Sequence, residues 1–525
     1  MPTRRWIVAA TLLPALVLSA CTSTDSPAAQ GPTQRPATSS PPSHHPRSSA
    51  TPAHTSATTV RQPRTMRGSS SWKLTKPAMD HQIEGYANPV SVRPGGTLTV
   101  MVSTTAPRFR AYAYRIGGYR GGAGRLMWSS KPTTGRSQPA PHLLPGTRTV
   151  VASWRASLTV PTAGLPPGFY LLKLDAASGY QSFVPFTVSS PTTAGKVVLV
   201  EPEMDWQAYN TWGGYSLYEA PPGQLRSWAV SFDRPNLAPG GNRFLYNIVP
   251  TVVLAERLGL PLAYESDVDV ATRPALLHGA RGYVSVGHDE YWTVPERRYV
   301  TRARDAGTNL AFLSSNTMYW RVRLAHRSTG PDRLMIGYKT DAATSDPLRD
   351  RRPTVTTARW RDPPAPDPEN SLIGELYECY PVDQPYRVAS PHWWGFRGTG
   401  VHLGSEFPHL VADEADRVYP VASTPRPLQV LSYLAYDCGG VPTSTESSYY
   451  TTPSGAGVID FGTQRWSCAL GRRCPGLPPE DDRFARQVMR NVLRAFARGP
   501  VGRTRPAVDN VSRFPLPTTN QVPAS

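Results

Sequence analysis

No Gly-x-Ser-x-Gly elbow and no His-Glu-x-x-His pair occurs in the chain, which excludes two common hydrolase arrangements. No Walker-type loop is present, and no Gly-x-Gly-x-x-Gly follows a hydrophobic run. The glycine-rich stretch 117–125 lies among short alternating segments and reads as a turn. Zinc-finger, RRM and helix-turn-helix signatures are missing too. Lysine is scarce, six of 56 basic residues, a skew that reflects GC-rich coding better than a nucleic-acid surface. Acid is absent between 26 and 79, where seven Lys and Arg account for +7 of the formal +18. No nucleic-acid partner is expected; this basic stretch suits anionic lipid or a cell-wall polymer.

Cysteine is the next scarce residue, with five in 525. Cys21 closes Leu18-Ser-Ala-Cys21 after Arg4, Arg5 and an apolar run from Trp6 to Leu18. That pattern reads as a lipoprotein-type signal peptide over 1–20, with Cys21 lipidated and holding the chain at the outer face of the membrane. An ordinary secretory signal is the alternative, and either way the protein is exported. In an exported chain the other four cysteines favour disulfides. Cys468 and Cys474 flank a short loop suited to one bridge, leaving Cys379 with Cys438; no Cys-x-x-Cys spacing supports zinc.

What is abundant is proline, glycine and aromatics: 56 Pro, 42 Gly and 10% Phe, Trp and Tyr, a balance that favours β-rich, loop-rich construction. Residues 21–71, mostly Ser, Thr, Pro and Ala, read as a disordered linker. Over 72–190 short alternating strands separated by Gly and Pro predict an immunoglobulin-like β-sandwich. At 196 the texture changes to apolar strands alternating with helices, which predicts a mainly parallel α/β domain over 195–500, amidotransferase- or flavodoxin-like, with a β-rich C-terminal extension. Thr293 and Glu296 form a capping box for one crossover helix, closed by Gly307. Residues 501–525 read as a flexible tail.

Two strands of that domain, YVSVG and NLAFLSS, end in HDEYW and NTMYW. Ligands gather at the carboxyl ends of parallel strands, so these clusters mark a candidate site. His288 and Glu290, two apart, point to the same side if the strand continues, and Asn316 faces them from the neighbouring strand. Asp289, Tyr291 and Tyr319 line the same edge, and Tyr209 in YNTWGGYSLY follows the first strand of the domain. Phenol and carboxylate oxygens suit a hard cation such as ferric iron.

YNTWGGYSLY, GHDEYW and NTMYW together resemble the large (beta) subunit of N,N-dimethylformamidase and its secreted bacterial relatives; the resemblance extends over about 73–500. It implies amide hydrolysis at a mononuclear Fe(III) held by two tyrosines and one glutamate, with His, Asn and Glu beside them. Carried over by position, Glu290 and Tyr209 are metal ligands, and His288 and Asn316 are catalytic. The second tyrosine matches Tyr170 in PPGFYLL, which also fits the corner tyrosine of a β-sandwich. The remaining glutamate matches Glu414, with Glu375 a rival. Asp289 stands where many relatives carry proline, so the substrate is a small-molecule or cell-envelope amide rather than dimethylformamide by default. The competing expectation is a surface lipoprotein binding polysaccharide or a protein partner, with Trp393-Trp394 as a stacking surface.

Overall fold

The computed structural model describes residues 63–472 and 474–519. The expected signal peptide, Cys21 and most of the linker lie outside the described residues. Among the described residues no helix is long and apolar enough to cross a membrane.

Strand-forming alternation governs the first part. Its main strands are β1 (Ile83–Asn88), β2 (Thr97–Thr104), β3 (Arg108–Ile116), β4 (Gly124–Ser129), β5 (Leu158–Pro161), β6 (Gly168–Ala176) and β7 (Gln181–Val188). They form two sheets, β1-β2-β5 and β7-β6-β3-β4. Alternate residues of facing strands, Leu98, Val100 and Val102 with Ala111, Ala113, Leu172 and Leu174, make the core between them. β6 is apolar on both faces because its other side, Phe169 and Leu171, packs with Val197, Leu199, Val252 and Tyr264 of the following part. The turn after β3 is clamped there as well: Gly118 N–H donates to Glu256 Oε2 at 2.7 Å, and Arg115 pairs with Glu256 at 2.7 Å, both buried.

The second part contains β8 (Val197–Glu201), α1 (Glu203–Tyr209), α2 (Val249–Arg257), β9 (Leu262–Ser266), α3 (Asp267–Thr272), β10 (Gly282–Ser285), α4 (Val294–Asp305) and β11 (Asn309–Phe312). Later come β12 (Leu376–Arg387), β13 (Glu406–Arg417), β14 (Leu428–Cys438), β15 (Val441–Thr451), β16 (Gly457–Asp460) and α5 (Pro479–Phe496). The central sheet runs β9-β8-β10-β11-β16-β15-β14. Its first five strands are mutually parallel, and β15 and β14 follow antiparallel. β12 and β13 form a separate ribbon. The capping box of α4 is present, with Glu296 N–H donating to Thr293 Oγ1 at 3.2 Å. α5 lays Phe484, Val488, Met489, Val492 and Phe496 into the core at helical spacing.

Both expected disulfides form, Cys379–Cys438 and Cys468–Cys474. The fold is β-rich with few helices. One expectation is corrected. Residues 501–519 are not a free tail: Val501 and Val511 are buried, Asn510 Oδ1 accepts Val430 N–H at 2.7 Å, and Phe514 packs on Tyr433. Apolar side chains spaced through this polar stretch cover the edge of the sheet at β14.

Candidate functional site

The site is assembled over the carboxyl ends of β8, β10 and β11. β8 ends at Glu201, and α1 carries the chain one short helix further, so that its last residue, Tyr209, lies over the strand ends. After β10 the chain turns at Gly287 (φ +88°), where an added Cβ would meet Asn247 at 2.7 Å; only glycine allows the turn and the close packing together. The next residues alternate. His288 and Glu290 face Tyr209, while Asp289 points away and accepts from Ser285 Oγ at 2.6 Å.

Four oxygen-bearing side chains meet. Tyr209 donates to Glu290 Oε2 at 2.6 Å. Tyr218 donates to the same carboxylate at 2.7 and 2.9 Å, and the two hydroxyls are 3.0 Å apart. Tyr291 donates to the Tyr218 oxygen at 2.6 Å. The rings of Tyr209 and Tyr218 stack at 4.4 Å. Arg243 lies over the Tyr209 ring at 4.3 Å, and Lys339 Nζ lies over the Tyr218 ring at 3.0 Å.

His288 borders this group. Its Nε2 is 3.3 Å from the Tyr209 hydroxyl, 3.5 Å from Glu290, 3.6 Å from Glu414 and 3.8 Å from Asp205. The Gln464 amide reaches its ring at 3.3 Å. Burial works against the imidazolium, yet Asp205, Glu414 and Glu290 together raise it to about 10. Burial also raises the Glu290 carboxyl, but His288 and Lys339 outweigh it and hold it low, about 2. Glu414 is pushed up to about 7 by burial, with His288 pulling against it. The Tyr209 hydroxyl is driven well above the usual phenol value by burial and then by Glu290; the Tyr218 hydroxyl, sunk in the cluster although its residue is 38% exposed, is raised by the same two causes. Without a cation they therefore stay protonated and serve as donors.

Of the residues expected at the site, Tyr209, Glu290, His288, Tyr291 and Glu414 come together. Asn316 joins them through Glu414, whose charged form its side-chain amide favours; its backbone, at φ +55°, donates to Asp416 Oδ1 at 2.7 Å. Tyr170 does not join. It lies in the sandwich core, stacked on Phe186, and its hydroxyl donates to the Pro166 carbonyl at 2.7 Å, a corner tyrosine satisfied within its own strand-turn unit. Tyr218, the last residue of YNTWGGYSLY, brings the second phenol to the cluster instead. Tyr319 is also elsewhere, with its hydroxyl 3.4 Å from an Arg359 nitrogen and its ring on Tyr377. Asp289 faces the buried Asp267 and Glu296 behind the sheet edge. Glu375 belongs to a separate group with Asp416 and Asp460. Trp393 is buried among Trp394, Phe396 and Tyr449, and Trp394 packs half-buried against the same core. Lys339 and Gln464 had no motif to mark them.

Two cavities open beside the cluster. One, of about 330 Å³, is lined by Trp206, Tyr209, Asn210 and Arg243. The other, of about 310 Å³, is lined by Arg243, Asn247, His288 and Gln464.

A β-rich fold whose parallel strands end beneath two phenols, a carboxylate and an imidazole defines a hard-donor site built to hold and move charge. The chain belongs to the N,N-dimethylformamidase beta subunit-like family, whose C-terminal model matches residues 110–478. Membership suggests a dimethylformamidase-like hydrolase. No curated protein matches the chain. Among solved structures, an uncharacterized protein from Bacillus anthracis strain Ames shares 13% identity at a TM-score of 0.14, over 20% of this chain and 80% of that one. A cycloisomaltooligosaccharide glucanotransferase from Paenibacillus, complexed with cycloisomaltoheptaose, shares 10% at a TM-score of 0.15, over 40% and 27%. Murine CEACAM1b shares 13% at a TM-score of 0.12, over 23% and 62%.

Proposed function

We propose that this protein is an exported, iron-dependent hydrolase of an amide C–N bond. The observation that carries the reading is the convergence of the Tyr209, Tyr218 and Glu290 oxygens on one another, with the buried Glu414 carboxylate 3.6 Å from His288 beside them. The donor set fits the metal. Two phenols and a carboxylate are hard oxygen ligands, tyrosinate is an established partner of ferric iron, and a cation here would replace the phenol protons that burial retains. Tyr209, Tyr218 and Glu290 would hold it. A ferric ion so bound supplies Lewis acidity, polarising a carbonyl and lowering the pKa of water.

The chain's own residues supply the proton handling. Glu414 Oε2 is buried without a hydrogen-bond partner, and its raised pKa suits a group that takes a proton from water and returns it. As the water oxygen bonds to the carbonyl carbon, its proton passes to Glu414. When the C–N bond breaks, that proton goes to the departing nitrogen, giving a carboxylic acid and an amine. His288, kept cationic by its three carboxylate neighbours, fixes Glu414 and is a donor for the developing oxyanion. Asn316 holds Glu414 from the other side, and Gln464 steadies the imidazole. The cavities, each near the lower end of ligand-site volumes, suit a small acyl group or a chain end rather than a folded polymer.

The test is iron content together with amine release from a panel of small amides that includes dimethylformamide. About one iron per chain and turnover that His288→Ala abolishes, with iron retained, support the reading. A metal-free, inactive wild type after growth with iron refutes it.

A further inference from the structure

A second group of carboxylates lies below the site. Glu375 immediately precedes β12, Asp416 lies on β13 and Asp460 ends β16, and none exposes any surface to solvent. One oxygen of each lies within 4.8 Å of the others. One oxygen of each aspartate is held by a backbone N–H, Asp416 Oδ1 by Asn316 at 2.7 Å and Asp460 Oδ1 by Gly462 at 3.2 Å. The other oxygens, Asp416 Oδ2, Asp460 Oδ2 and both of Glu375, have no hydrogen-bond partner.

Two further observations point to a ligand. Ser448 Oγ, on β15 directly opposite Asp460, is fully buried; it lies close enough to Glu375 to favour its charged form but makes no bond of proper hydrogen-bond geometry, and a Cβ on Gly374, next to Glu375, would come within 3.0 Å of it. At Gly462 (φ +61°) a Cβ would stand 2.9 Å from Glu375 Oε2, so the chain leaves that oxygen clear. The nearby cation Arg361 is already paired with Glu369 at 3.1 Å, and among the described residues no Lys, Arg or His forms an ion pair with the three acids.

Three carboxylates buried together repel one another and lose hydration, a situation that persists only with protons or a cation between them. We propose that Glu375, Asp416 and Asp460, with Ser448, bind a hard divalent cation of the calcium type. Oxygen-only donors disfavour zinc and copper. The three oxygens lie within 4.8 Å of one another, close enough for one cation bonding oxygen at roughly 2.4 Å to hold them all, whereas magnesium usually keeps several waters. The cation ties the β12–β13 ribbon to the central sheet. Through Asp416 it also fixes the backbone of Asn316 beside Glu414, so its role is to position residues, not to react. The cation site is independent of the iron reading; only the absorption readout in its test rests on that reading.

The test uses the full-length protein equilibrated with calcium, desalted and subjected to elemental analysis for calcium, magnesium and manganese, with melting curves before and after EGTA. About one divalent cation per chain, and a fall in Tm of roughly 5 °C on its removal, support the proposal. Glu375→Gln should lose the cation and melt lower while keeping the tyrosinate–iron absorption; Tyr209→Phe should do the reverse, losing that absorption and keeping the cation. A wild type without divalent cation overturns it, and so does a Glu375→Gln protein that melts at or above the wild-type temperature, the mark of carboxyls that merely share protons. If Glu375→Gln fails to fold, the wild-type metal content still decides.

Discussion

Replacing Tyr218 with phenylalanine separates two candidates for the second phenol ligand. The Tyr218 hydroxyl donates to Glu290 at 2.7 and 2.9 Å and accepts from Tyr291 at 2.6 Å. Its loss removes a charge-assisted bond and strands the Tyr291 donor, which together cost about 3 kcal/mol in the metal-free protein. For iron the loss is one anionic ligand of three; affinity should fall by about two orders of magnitude, equivalent to roughly 3 kcal/mol. The iron that remains should show about half the tyrosinate absorption per atom. Tyr170→Phe is the control. It removes one neutral bond to a carbonyl, worth about 1 kcal/mol, and should lower the melting temperature slightly while leaving iron and colour intact. The assay is visible absorption with iron analysis on both variants. Full colour in Tyr218→Phe together with colourless Tyr170→Phe would refute the assignment.

Glu290→Gln should lose iron, because the carboxylate shared by both phenols becomes a neutral amide; iron analysis checks it. Burial raises the Glu203 carboxyl to about 7, against a partial offset from Gln207. The folded pKa lies above the unfolded one, so this contribution to stability is complete below about pH 4.5 and is lost as pH rises through about 7. Glu203→Gln should therefore melt above the wild type near pH 8, by up to about 3 kcal/mol, and match it near pH 4; melts at both pH values decide. Arg115→Ala leaves Glu256 buried without its cation and should destabilise the fold by about 3–5 kcal/mol in denaturant titrations.

Much of the site could be read because it follows strand geometry. His288 and Glu290 are two residues apart at a strand end, and periodicity alone puts them on one side; Tyr209 follows from the adjacent strand. Tyr218 could not be found that way, since it returns to the cluster by an irregular loop with Gly213 at φ +79°. For Tyr170 the sequence left ligand and corner tyrosine both open, because its place two residues after Gly168 does not say which way a ring faces; in β6 it faces the sandwich interior. Glu414 lies on a ribbon outside the central sheet, and only the family resemblance pointed to it. The packing of residues 501–519 escaped because a few apolar side chains among Pro, Arg and Thr carry no period.

The parallel strand that completes the central sheet arrives late. β11 ends at Phe312, yet its partner β16 begins at Gly457, and Gln464, which touches His288, follows it. A loop of that length must close before the pairing is rewarded, which slows folding relative to local contacts. Nascent or truncated chains ending short of Gly457 would carry Tyr209, Tyr218 and Glu290 without the strand that supports their floor. Such chains should expose the edge of β11 and be prone to aggregate, so quality control of this protein would depend on synthesis of the segment that begins at Gly457.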